Sequence, residues 1–142
     1  MSETHTGEDN IALEILTPGR MVAQLSVPMV TLPGMEGYFG VLPGHMPLIT
    51  RLKPGVITYE EGGMPRRVAV STAVVEVIPE RVIVLARSAE LAGKLDAERV
   101  NRALEEARAK LASLAPGAEG IEDAQADLER AQARQLALEE EG

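Results

Sequence analysis

The residues whose type and spacing could do chemistry are few, and they fall into two groups. The first begins at Leu95-Asp96-Ala97-Glu98-Arg99-Val100. Asp96 stands where a helix N-cap would accept the early backbone amides. Leu95 and Val100 then occupy the two ends of a hydrophobic staple, and Glu98 suits the positive end of the helix dipole. Capping explains every residue in this segment except Arg99. Further on, Arg130 and Arg134 lie one turn apart on a second helical pattern. Like charges at that spacing cost roughly 0.2–0.5 kcal/mol. A solvated helix face is the ordinary reading. Two guanidiniums facing Arg99 across a hairpin would instead form an anion clamp suited to phosphates.

The second group is the run from Gly34 to Gly55, GMEGYFGVLPGHMPLITRLKPG. Glycine at this density permits positive φ and close backbone contact. The residue before each proline is pushed extended. Two readings stand side by side: a set of ordinary turns in a β module, or a shaped protein-binding edge with Glu36, Tyr38 and Phe39 at its tip.

The other candidates do not assemble into a catalyst. Ser26, Ser71, Ser88 and Ser113 lack a glycine-elbow context, and the histidines are His5 and His45 alone. Cysteine is absent, which excludes disulfides, thiolate metal sites and cysteine nucleophiles. Two histidines cannot build a multi-histidine metal centre. The acidic pairs Glu60-Glu61 and Glu105-Glu106 read as solvated surface. The spacing Gly34, Gly37, Gly40 is not that of a nucleotide-binding fingerprint, and no helical pattern follows it. A net charge of −8, no tryptophan and 2% aromatic residues argue against a nucleic-acid partner. No apolar stretch approaches the length of a membrane span. The polar, acidic first residues are neither a signal nor a transit peptide, so a soluble, bacterial cytoplasmic protein is expected.

These residues must be positioned by two modules of different class. Up to Ser88 lie 9 of the 13 glycines and 8 of the 9 prolines, whereas 14 alanines fall in the 54 residues after it. Residues 11–88 read as an all-β sandwich or barrel of many short strands after a polar tail, residues 1–10. Ile11–Ile15, Val22–Leu32, Leu48–Leu52, Val56–Tyr59, Val68–Val70, Val75–Val77 and Val82–Ala86 are the strand candidates. Turns are expected at Pro18-Gly19, Pro33-Gly34, Pro43-Gly44, Pro54-Gly55 and Gly62-Gly63. Pro28, inside a run, predicts an edge strand or a bulge. Residues 89–142 read as an antiparallel two-helix hairpin. Val100, Leu104, Ala107, Leu111 and Leu114 stripe the first helix, which Ala115-Pro116-Gly117 stops. Ile121, Ala124, Leu128, Ala131, Gln135 and Leu138 stripe the second. Burying about six leucine-sized groups, at roughly 1.5–3 kcal/mol each, barely offsets the ordering of about fifty residues. The hairpin should therefore dock on something or change conformation.

The whole chain, from about Ile11 to Leu138, resembles the epsilon subunit family of the rotary F-type ATP synthase. The likeness rests on Gly37-Tyr38-Phe39-Gly40-Val41-Leu42-Pro43-Gly44-His45-Met46-Pro47-Leu48-Ile49-Thr50 followed by Lys53-Pro54-Gly55. The order of modules, Val74-Val75-Glu76-Val77 before a turn and the alanine-rich hairpin support it. The resemblance implies a β-sandwich of about ten short strands followed by the helical hairpin. It implies a non-catalytic rotor subunit at the foot of the central stalk. Such a subunit binds gamma, rests on the polar loops of the membrane c-ring, and couples proton-driven rotation to ATP synthesis in the alpha–beta hexamer. By that likeness Glu36, Gly37, Tyr38 and Phe39 form the loop facing the ring, with His45 close by. The hairpin would contact alpha and beta and inhibit ATP hydrolysis when extended. The place implied is the cytoplasmic face of the bacterial inner membrane, held there only through the complex. No cofactor is implied, but some members bind ATP as a regulatory ligand in the folded hairpin. Glu90, Leu95, Asp96, Arg99, Arg130 and Arg134 match that site. Val100 stands where those members have alanine, and Ser71-Thr72-Ala73 stands where many have a Ser-Gly-Gly turn.

Overall fold

The computed structural model describes residues 9–141, with side chains to residue 139. Most of the polar tail expected over residues 1–10 lies outside the described residues.

Ten strands are followed by two helices: β1 Ile11–Thr17, β2 Arg20–Val27, β3 Val30–Gly34, β4 Gly37–Val41, β5 Leu48–Leu52, β6 Gly55–Glu61, β7 Met64–Val70, β8 Ala73–Ile78, β9 Arg81–Ala86, β10 Ala89–Leu91, α1 Ala97–Ala112 and α2 Ile121–Glu141. The strands run in the order β10-β7-β6-β3-β5-β8-β9-β1-β2, with β4 paired to β3. All pairings are antiparallel except β1 with β9. One Cα pair, Gly34 with Leu52, joins β3 to β5. The sheet folds over there into two leaves, β10-β7-β6-β3 and β5-β8-β9-β1-β2. At the other end the edges approach, and the Arg20 guanidinium on β2 donates to the Ala89 carbonyl on β10 at 3.3 Å. The result is a sandwich on its way to closing as a barrel.

Alternation along the strands fills the space between the leaves. Ile11, Leu13, Ile15, Leu32, Leu52, Ile57, Val68, Val75, Val77, Val82 and Val84 are essentially inaccessible. Between β6 and β7 the chain reverses through Gly62 and Gly63, with φ of 61° and 81°. This is the two-residue mirror-type turn that matches strand twist and admits few side chains other than glycine.

Three local expectations are corrected. Val22–Leu32 is not one strand: Pro28, which cannot donate to a ladder, marks the corner between β2 and β3. β2 itself is an edge strand, and it also carries the irregularity, since Ile15 pairs with Ala23 and Leu16 with Met21 and Val22 is left over. Pro33-Gly34 is not a turn but the end of β3, and the chain reverses at Met35-Glu36. Gly37–Val41, read as loop because of its glycines, is strand β4.

β10 lies on the sheet, so the compositional break at Ser88 falls one strand before the helices begin. α1 opens at the expected cap: the Asp96 carboxylate accepts from the amides of Glu98 and Arg99 at 3.0 and 3.5 Å. It ends at Ala112, so Leu114 lies beyond it. The hairpin folds back on the outer face of β6 and β7. There Ala133 and Ala137 of α2 pack with Val56, Ala69 and Ala92, flanked by Leu95 and Leu136. α2 thus has two apolar faces. Ala124 and Ala131 are buried on the side that bears the stripe read from the sequence, and Ala133 and Ala137 meet the sheet.

Candidate functional site

Two regions carry the residues singled out from the sequence. In the first, β3 and β4 form a tight hairpin whose turn exposes Glu36 and Gly37. Tyr38 does more than decorate that tip. Its hydroxyl accepts the Val56 amide at 3.0 Å, and its side chain is 48% exposed. A Cβ on Gly55 would stand 2.8 Å from that hydroxyl and 2.7 Å from Pro33 Cβ. Glycine at 55 is therefore what lets β6 start beneath Tyr38. Phe39 is not at the tip: it pairs with Leu32 and leans on the core. Glu36, Gly37, Tyr38 and Phe39 line a shallow groove with Gly34, Met35, Leu48 and Thr50. His45 lies in the β4–β5 connection, its Nδ1 2.7 Å from the Met46 carbonyl. The Gly44 amide ties that connection to the Pro79 carbonyl at 2.8 Å.

The second region is a cleft where the hairpin meets the end of the sheet. Glu90, Leu95, Asp96, Arg99, Val100 and Arg134 line it, together with Lys94, Arg102, Ala103 and Glu106, around about 440 Å3. β10 supplies Glu90, the cap of α1 supplies Asp96 and Arg99, and α2 supplies Arg134. Residues far apart in sequence therefore converge as the hairpin geometry predicts. Arg130 does not join them. It pairs with Asp127 on its own helix and lines the neighbouring groove between α1 and α2. The Arg134 guanidinium is engaged as well: its Nε donates to Glu90 Oε1 at 2.6 Å. This ion pair spans sandwich and hairpin, with side chains 26% and 37% exposed. Asp96 is occupied by capping.

One feature escaped the reading of the sequence. On the outer face of the leaf away from the hairpin, Ile49, Val74 and Leu85 are 70%, 44% and 57% exposed. Strand register lines Val74 up with Leu85, Leu16 and Met21, while Ile49 stands diagonally from Val74, between its own partner Glu76 and Arg51, the β5 partner of Val74. The signal was present in the alternation: these are apolar residues at outward positions where a solvated sheet carries polar ones. An exposed apolar band of this kind marks a surface that another molecule covers.

Among the described residues no group of three or more histidines, aspartates and glutamates is placed to hold a metal ion. No described helix is long and apolar enough to cross a membrane. A sandwich with an exposed aliphatic cluster on one outer face, a stiff exposed turn and a lightly docked hairpin has the features of a docking subunit.

Comparison with known proteins gives that class a family. Residues 10–92 match the family described as ATP synthase, Delta/Epsilon chain, beta-sandwich domain. The ATP synthase epsilon chain of Carboxydothermus hydrogenoformans is 45% identical over 108 residues, 76% of this chain and 81% of that one. That of Anaeromyxobacter dehalogenans is 41% identical over 124 residues, 87% and 94% of the two chains. Among solved structures, a chain of the Euglena gracilis mitochondrial ATP synthase, OSCP/F1/c-ring in rotational state 1, superposes with a TM-score of 0.78 at 28% identity, over 97% of this chain and 89% of that one. A chain from the Tetrahymena thermophila mitochondrial ATP synthase central stalk and c-ring shares the fold, with a TM-score of 0.55 at 13% identity over 94% and 99% of the two chains. The chain belongs to the ATP synthase delta/epsilon chain family, as an epsilon chain: a rotor subunit of the complex that is not itself catalytic.

Proposed function

We propose that this chain is the rotor subunit that joins gamma to the membrane c-ring of a proton-translocating ATP synthase. The observation that carries the reading is the exposed apolar band of Ile49, Val74 and Leu85. An outward cluster of branched aliphatic side chains on adjacent strands, edged by Arg51 and Glu76, is suited to cover by a partner, and gamma is the partner the family implies. The Met35–Tyr38 turn, polar at Glu36 and stiffened by the Tyr38–Val56 hydrogen bond, is suited to rest on polar ring loops. Torque then passes through a body with no soft joint between the two contacts. The chain sits on the cytoplasmic face of the bacterial inner membrane, through the complex alone.

The test is co-purification. Ile49→Glu with Leu85→Glu, both exposed and therefore compatible with the fold, should release the tagged chain from gamma. Glu36→Lys should weaken recovery with the ring and leave gamma bound. Recovery of the double variant with gamma at the level of the unaltered chain would refute the assignment of the band.

A second reading concerns the cleft. Its lining by Glu90, Leu95, Asp96, Arg99 and Arg134 supports ATP as a regulatory ligand that holds the hairpin down. The hairpin, once free to extend toward alpha and beta, would inhibit ATP hydrolysis. Phosphates would have to compete with Glu90 for Arg134. Calorimetry of the full chain with ATP tests this, and absence of heat at millimolar nucleotide would remove it.

A further inference from the structure

A different cavity lies where the two leaves fail to close. It holds about 410 Å3 between β2, β6, β7 and the turn after β10, and its walls include Val22, Leu25, Leu91 and Tyr59. Volume in this range suits a small organic molecule. Its ionisable side chains are Arg66, Arg67, Lys94 and Glu61. The Arg66 Nε donates to Glu61 Oε1 at 3.2 Å, in a pair whose side chains are 47% and 57% exposed, so an anion taken by Arg66 competes with that carboxylate.

Tyr59 gives the cavity its polar anchor. The residue is 4% exposed, and its hydroxyl has no hydrogen-bonding partner among the described residues. A buried hydroxyl left in that state is costly, and few are tolerated in native folds. Burial, reinforced by the nearby Glu61 carboxylate and opposed by Arg66, raises its pKa above 10.0. The group is therefore a proton donor throughout the neutral range. Tyr59 and Arg66 are directly paired across β6 and β7, so their side chains leave the same face of the sheet. Donor and cation thus stand together beside the apolar walls of β2 and β10.

We propose that this cavity binds a small amphipathic anion, its charged head taken by the Tyr59 hydroxyl and the Arg66 guanidinium and its apolar body laid against Val22, Leu25 and Leu91. The site is separate from the Glu90–Arg134 cleft, although Lys94 borders both, and the inference does not rest on nucleotide binding there.

The probe is octanoate, titrated into the isotope-labelled full chain and followed by amide chemical shifts. Acetate serves as a head without a body, and octanol as a body without a head. Saturable shifts at Val22–Leu25, Tyr59 and Arg66 are expected with octanoate, and much weaker ones with either control. Tyr59→Phe removes an unpartnered hydroxyl and should fold as well as the parent. It should weaken octanoate about tenfold, the worth of one hydrogen bond to a charged group. Arg66→Gln should weaken it as well. Three results would overturn the proposal: no saturation, equal shifts with acetate, or undiminished binding to Tyr59→Phe. Shifts confined to Arg99, Arg102, Glu106 and Arg134 would also overturn it, since they would place the anion in the other cleft.

Discussion

Ala137→Glu should detach the hairpin while leaving the sandwich folded. Ala137 is fully buried where α2 crosses Val56 and Ala69, and Ala133 beside it is 4% exposed. The contact is made of small groups. At about 0.8 kcal/mol per buried methylene-sized unit, its four alanines, Val56 and two half-buried leucines give roughly 7–9 kcal/mol before any ordering entropy is subtracted. An unpaired carboxylate held at that position costs several kcal/mol on top of the packing it disrupts. Undocking is the cheaper response, because the core between the leaves contains no α2 side chain. Amide hydrogen exchange on the full chain should show protection lost along α2 but kept in β5, β8 and β9. Ala126→Glu adds the same charge on an exposed face of the same helix and should leave exchange unchanged. If both variants exchange alike, or if Ala137→Glu melts the strands, the reasoning about this interface is wrong.

Glu90→Gln removes the partner of Arg134 from a pair that is partly exposed, so after solvent screening the loss should be only about 0.5 kcal/mol. It should appear as faster exchange in α2, with the difference from the parent shrinking as salt is added; identical rates at low salt would show the pair to be idle. Gly55→Ala would drive a Cβ into Pro33 and the Tyr38 hydroxyl, and should lower sandwich stability by roughly 1–3 kcal/mol in denaturant unfolding. A neutral result would mean that β3 and β4 shift freely. Tyr59 has a folded-state pKa above its ordinary 10.0. The unfolded chain therefore releases this proton first as pH rises. Stability should be level with respect to this group below about pH 10 and fall above it, until the folded pKa is passed. Tyr59→Phe should flatten that fall, and an unchanged slope would assign it to other groups.

The sequence made the module order legible because each module obeys one period. Two-residue alternation marked β1, β7 and β8, and the helical stripe with Asp96 as cap marked α1. It misled where one residue type serves two purposes. The glycines of Gly37–Val41 kept it out of the strand candidates, yet Gly37, with φ of 138°, serves the reversal before β4, while Gly40 lies within the strand against Met29. Pro33 ends a strand because its carbonyl still accepts the Lys53 amide at 3.0 Å, while its missing donor costs the ladder little there. Cap and hairpin geometry made Asp96, Arg99 and Arg134 legible as neighbours, while Glu90 entered the set only through the family resemblance. Arg130 fell outside that set, since Asp127 one turn earlier offers a nearer partner than anything across the hairpin. The pairing of Glu90 with Arg134 was not legible, because it depends on how the helices seat on the sheet.

That seating is the least specified step in the chain, and its physics separates the two outer faces. On the hairpin side the buried groups are four alanines and Val56, with one ion pair to fix the register. On the opposite side Ile49, Val74 and Leu85 offer branched aliphatic groups, each worth roughly 1.5–3 kcal/mol when fully covered. Those side chains are already partly covered by their own strands, so covering them gains only part of that figure. Undocking α2 breaks the hairpin contact alone and leaves the core between the leaves, which holds no α2 side chain, intact. Mechanical or chemical stress on the assembled subunit should release the hairpin first and the sandwich last.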